Sequence, residues 1–192
     1  TGGWVRDSVF EGNAAAFGGG VYVAGGRTLR FVNSLIVDNR TGTGGFYANG
    51  SSPRVINSTI SWNDVFGIFT TFGARPEFVN TIVSGNSTVG AITAQLAGNG
   101  EPVFASTIVD GLEAAGVIPG PALLDAEYRP MPGSGAIDAG DNTLVPDGVT
   151  TDLAGGPRFV DDPGTPDTGV GDGPIVDLGA FEFAPEASCP AD

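Results

Sequence analysis

The side chains able to do chemistry in this chain are almost all carboxylates. Twenty-two Asp and Glu face eight basic residues; every basic residue is Arg, His is absent, and Cys189 is the single Cys. That set excludes a His general base, a Ser–His pair, a Lys Schiff base and a zinc site of Cys and His. It also excludes an internal disulfide. The net charge of −14 would repel a phosphate backbone, so a nucleic-acid partner is not expected. Three roles stay open to the carboxylates: metal ligation, paired acid–base work and structural pairing with Arg.

The densest acidic run lies between Asp161 and Gly173, where Asp162, Asp167 and Asp172 recur every five residues among Gly and Pro. Hard oxygens on a tight loop suit Ca²⁺. The EF-hand frame is missing, because its Glu at position 12 and its Asp spacing are absent. A solvated acidic loop is the simpler reading of such a run. No organic cofactor is implied, and calcium is the one ion the loop suits. A glycosidase would use a pair such as Asp161–Asp162 or Asp138–Asp141. Arg158 is the only cation among residues 134–192, against twelve acids. One reading pairs it with Asp138, Asp152, Asp177 or Glu182 as a structural anchor. The other makes it the proton-abstracting base of a polysaccharide lyase, which needs a lowered pKa that an acidic field opposes. The chain is therefore expected not to be an enzyme, with lyase or glycosidase activity as the alternative.

The elements that position these residues follow from composition and repeats. Gly contributes 32 residues and Pro 14, yet 41% of the chain is hydrophobic. Turn-formers with that apolar content predict many short strands rather than helices. The segment Asn33-Ser34-Leu35-Ile36-Val37-Asp38-Asn39 recurs from Asn57 and from Asn80, with further copies from Asp7 and Ala105. The starts lie 26, 24, 23 and 25 residues apart. Gly20-Val21-Tyr22-Val23 recurs as Gly45-Phe46-Tyr47-Ala48, Gly67-Ile68-Phe69-Thr70 and Gly90-Ala91-Ile92-Thr93. Such a period with short β runs and no leucine-rich frame predicts a right-handed parallel β-helix of about five coils. At the usual interstrand spacing these stack into a section of roughly 24 Å.

Stacking turns positions into columns. Ser8, Ser34, Ser58, Thr81 and Ser106 make a hydroxyl column, and Phe10, Ile36, Ile60, Val83 and Ile108 an apolar one that shares its inward face. Asn13, Asn39, Asn63 and Asn86 are expected to close a turn in each coil, tolerating left-handed backbone and bonding amide to amide. Gly20, Gly45, Gly67 and Gly90 are expected at tight bends. Tyr22, Tyr47 and Phe69 form an aromatic column, and Trp62 lies in a turn. Ring packing is the simpler role of that column; Tyr22, Tyr47 and Trp62 are the candidate sugar platforms. The organisation is then 1–115 coils, 116–186 an acidic loop-rich continuation or cap, and 187–192 a linker or tail.

Three C-terminal segments carry a resemblance: Ser134-Gly135-Ala136-Ile137-Asp138-Ala139-Gly140, Asp152-Leu153-Ala154-Gly155-Gly156-Pro157-Arg158, and Val176-Asp177-Leu178-Gly179-Ala180-Phe181-Glu182. In this order they resemble the end of bacterial surface proteins with choice-of-anchor Q domains, although Gly135 stands where those usually carry Pro. The resemblance implies a secreted or cell-surface β-helix. Ser188-Cys189-Pro190-Ala191-Asp192 resembles the junction before dockerin-type calcium repeats, which implies a longer precursor.

The expected function is a non-catalytic extracellular structural or adhesive element. Its first coil offers a strand edge that could pair with the far end of another copy and build a filament. A carbohydrate-binding or carbohydrate-degrading β-helix, with a polysaccharide or cell-surface partner, is the alternative. No apolar run reaches membrane-spanning length.

Overall fold

A computed structural model describes residues 2–87 and 95–184. The expected tail 187–192 and the run Gly90–Thr93 lie outside the described residues. The described residues are all-β apart from one short 3₁₀ turn at Asn142–Leu144.

The coils stack as parallel sheets. Trp4–Arg6, Arg30–Val32, Arg54–Ile56, Glu77–Val79 and Val103–Ala105 form the first, and Val9–Glu11, Leu35–Val37, Thr59–Ser61, Ile82–Ser84 and Ile108–Val109 the second. Val21–Ala24, Gly44–Asn49, Phe66–Thr71 and Leu96–Gly98 form the third. With five, five and four strands, the solenoid makes four turns and part of a fifth. Strands of three residues suffice because each inner strand is hydrogen-bonded above and below. The middle residue of each strand in the first two sheets points inward, where Phe31, Val55, Phe78, Ile36, Ile60 and Val83 meet Phe46 and Ile68 of the third. Phe31, Phe46, Phe78 and Phe104 follow one another at centroid separations of 5.5, 5.7 and 5.8 Å.

Register corrects the last copy of the repeat by one residue. Ile82 stands opposite Ile108 and Val83 opposite Val109. Val109 therefore fills the inward column and Thr107 the hydroxyl column, where its Oγ1 donates to Ala105 O at 3.0 Å. Ser106 instead takes the corner of Asp7, Asn33, Asn57 and Asn80, and all five have φ of 45–49°. Leu96, not a residue of Gly90–Thr93, stands opposite Ile68 in the third sheet.

The Asn column forms, but as a ladder rather than a left-handed turn. Asn13, Asn39 and Asn63 each donate their own backbone N–H and Nδ2 to the Oδ1 of the next Asn, at 2.9–3.1 Å. Gln95, missed in the sequence, ends the ladder by accepting Asn86 Nδ2 at 2.7 Å. The left-handed residues are the preceding ones, Gly12, Asp38, Trp62 and Gly85. The expected bend glycines have another role. A Cβ at Gly45 would lie 2.3 Å from Asn63 Cγ, and one at Gly67 2.5 Å from Asn86 Nδ2. Gly is therefore required for clearance beside the amides.

The acidic C-terminal region adds no further full coil. Val117 bridges Thr107, and with Leu112 it closes the last coil's core. Residues 118–183 then run back along the outside of the first two sheets as a strap. Leu144, Val145 and Val149 cover Val32, Ile56 and Val79. Ala136, Ala139 and Leu178 cover Ile82 and Ile108, while Ala180 and Phe181 cover Leu35 and Val37. The corner amides dock the strap: Asn80 Oδ1 accepts Asp141 N–H at 2.8 Å and Asn33 Nδ2 donates to Thr151 O at 2.7 Å.

Candidate functional site

The strap gathers the residues of all three C-terminal segments into one buried charged cluster. Arg158 and Asp138 are fully buried, and Asp177, Asp152 and Glu182 nearly so. The strap folds back on itself here because backbone N–H groups converge on carboxylates. Asp177 accepts the N–H of Asp138 at 2.7 Å and also that of Phe183. Asp152 accepts Gly156 N–H at 2.9 Å and Glu182 N–H at 3.1 Å.

Among the four carboxylates offered to Arg158 by the sequence, the structure selects Glu182, with Nε to Oε1 at 3.2 Å. This contact is an ion pair without hydrogen-bond alignment. The guanidinium's Nη2 donates instead to the carbonyls of Gly179 at 2.6 Å and Asp177 at 3.2 Å. Burial pushes the Glu182 carboxyl up to about 9 against the pull of Arg158, and it pushes Asp177 up to about 7. Burial also pulls Arg158 down, opposed by Glu182, Asp177 and Asp152. A guanidinium stays charged in such a site. No face of Arg158 reaches solvent, so no substrate proton reaches it either.

The expected calcium loop is arranged differently from its spacing. Asp162 is taken up in a local turn, its Oδ1 accepting Gly164 N–H at 3.2 Å and its Oδ2 the Thr165 hydroxyl at 2.8 Å. Asp172 is exposed and stands apart. The acids brought together are Asp138, Asp161 and Asp167, with carboxylate oxygens within 4.8 Å of one another. Of the expected three, only Asp167 belongs. Asp161 was hidden by its neighbour, whose five-residue period drew attention, and Asp138 lies more than 20 residues away. Asp141, the other suggested catalytic acid, caps the 3₁₀ turn by accepting Thr143 N–H at 2.9 Å.

The aromatic column is mainly packing. Tyr47 is buried, with Tyr22 at 5.0 Å and Phe69 at 5.1 Å between ring centroids. Trp62, 62% exposed, lies apart in a groove of about 620 Å³ with Asp38, Arg40 and Asp64. Among the described residues, no helix is long and apolar enough to cross a membrane.

Residues 1–117, more than half of the chain, match the family described as the right handed beta helix region. The chain belongs to that family. The match stops short of the three C-terminal segments and leaves the choice-of-anchor Q resemblance on its motifs alone. Comparisons with curated proteins and with solved structures gave no match.

Proposed function

We propose that this protein is a non-catalytic structural or adhesive rod element, secreted or held at the cell surface. The observation that carries this reading is how the reactive residue types are used. Arg158, Glu182, Asp177 and Asp152 are buried in the strap, where they bind its own backbone groups. An acidic, Lys-free surface fits an extracellular setting.

The first coil is the surface for association. Trp4, Val9, Phe17 and Tyr22, between 47% and 61% exposed, all lie on it. Its strands are hydrogen-bonded on one side only. A parallel edge of this kind takes another coil, either from flanking sequence or from a second copy. At the opposite end Gly116–Ile118 pair with Thr107, while Val103–Ala105 and Leu96–Gly98 are each paired on one side only. Pairing between two first coils gives a discrete end-to-end dimer, and pairing of a first coil with that far end gives a filament.

Light scattering with electron microscopy tests this reading. End-to-end particles that dissociate in a Val9→Lys variant are expected. Monomers at every concentration would overturn the association, and release of reducing or unsaturated ends from a polysaccharide would overturn the non-catalytic assignment.

A carbohydrate-binding reading is favoured by one observation, the exposed Trp62 ring beside Asp38, Arg40 and Asp64. Polysaccharide retention lost in Trp62→Ala but kept in Tyr22→Ala would support it.

A further inference from the structure

The fully buried Asp138 carries an oxygen that the fold leaves without a donor. Its backbone is held on every side. The N–H donates to Asp177 Oδ1, and the carbonyl accepts Thr168 N–H at 2.9 Å and Gly169 N–H at 3.1 Å. The carboxylate is thus placed by the strap's own hydrogen bonds. Its Oδ2 accepts the Asp162 N–H at 3.3 Å, but Oδ1 meets no donor among the described residues. A buried carboxylate oxygen in that state costs free energy unless a cation or donor meets it.

Two further carboxylates converge on it. Asp161 and Asp167 are exposed, and each brings an oxygen within 4.8 Å of Asp138 and of the other. Arg158, the only cation of the strap's acidic half, is engaged by Glu182 and two carbonyls. Three acids closing on one point without a base is an arrangement that a hard divalent cation resolves. Three oxygens at the 4.8 Å ceiling would lie about 2.8 Å from a common centre, so a closure of a few tenths of an ångström by the exposed acids brings all three to Ca²⁺–oxygen distance. The two exposed acids leave room for water to complete a shell of six to eight oxygens, whereas Mg²⁺ demands a near-ideal octahedron.

We propose that Asp138, Asp161 and Asp167 form a Ca²⁺ site that fastens the acidic loop to the strap. Asp138 is the preplaced anchor, and Asp161 and Asp167 bring the loop to it. The loop's connection to the coils then depends on calcium, while the coils do not.

Calorimetric titration of the whole, chelator-treated protein with Ca²⁺ tests the site. One site per chain and a raised unfolding temperature are expected. Asp161→Asn with Asp167→Asn, both on exposed side chains, should weaken binding at least tenfold and abolish the thermal shift. Asp172→Asn, which removes one charge from the same loop outside the cluster, should change the affinity less than twofold. Absence of binding overturns the proposal. So does binding that survives the double substitution, or that falls equally in Asp172→Asn, which would mark diffuse attraction to an acidic loop. Equal binding of Mg²⁺ would overturn the choice of ion.

Discussion

The coils and the strap solve the same problem with opposite chemistry. Both bury many polar groups. In the coils these are neutral amides and hydroxyls, repeated at every level: the Asn ladder bonds amide to amide one turn away, and the hydroxyls of Ser34, Ser58 and Thr81 each donate to the carbonyl two residues before them. Asn39, Asn63 and Asn86 satisfy donors and acceptors in this way without any charge. The strap has no repeat, and it buries an Arg and four acids whose partners come from distant points in the chain. A ladder of neutral amides is insensitive to pH and salt. A buried charge cluster is sensitive to both and fails sharply when one member is lost.

The largest effect should come from the strap. Arg158→Met leaves Glu182 buried without its counter-charge and should destabilise the protein by about 3–5 kcal/mol in urea unfolding. Arg158→Met with Glu182→Leu removes both charges and should recover the part of that loss due to the unpaired charge, while the carbonyls of Gly179 and Asp177 and the Asp177 N–H stay without these partners. If the single and double variants are equally unstable, the ion pair is not what the strap depends on.

Next comes the ladder. Asn63→Ala strands the buried N–H of Asn39 and the carbonyl of Ile36, at about 1–3 kcal/mol for each group. Gly45→Ala, which drives a Cβ into Asn63, should cost about 1–3 kcal/mol as an overpacked site. In the Asn63→Ala background the clash is gone, so Gly45→Ala should become nearly neutral. Additive losses in that double-mutant cycle would show that Gly45 serves something other than clearance.

The pH dependence separates the regions more gently. Asp177 and Glu182 are raised in the folded state to about 7 and about 9, from ordinary values of 3.8 and 4.5. In that window the folded state binds more protons than the unfolded, so stability falls as pH rises. Their contribution is complete below their unfolded pKa values and is lost as pH climbs through about 7 to about 9. Urea midpoints should therefore drop from pH 5 to pH 9, and most of the drop should vanish in the Arg158→Met, Glu182→Leu, Asp177→Asn variant, which keeps only Asp138, raised to about 6. The smallest effect is Trp62→Ala, which should alter stability by no more than about 0.5 kcal/mol, as exposed substitutions usually do.

The two regions also differed in what their residues disclosed. Coil stacking places one residue type in one environment at successive levels, so the Asn, hydroxyl and apolar columns could be read directly. The errors fell where type and backbone part company. Ser106 resembles the hydroxyl column but occupies a left-handed corner that its side chain does not announce. Gly45 resembles a bend but is a clearance. In the strap, the residues Asp138, Asp152, Arg158, Asp177 and Glu182 could be named, but their pairing could not, because one Arg had four candidate acids. Nor could their place be read. The apolar residues that dock the strap, such as Val149 and Phe181, have no period that marks a lateral path. Asp161 was missed because the turn chemistry that consumes Asp162 depends on local backbone geometry, not on spacing.

Residues 118–183 form a lateral strap held by the buried charge cluster, on coils that hold themselves. Native-state hydrogen exchange on the wild type and on Arg158→Met tests it most directly. The account predicts that in the wild type the amides of Asp138, Asp177 and Glu182 are protected along with those of Asn39 and Asn63. In Arg158→Met the strap amides should lose protection while the ladder amides keep theirs. Strap amides that exchange freely in the wild type, or strap and ladder amides that lose protection together in the variant, would contradict it.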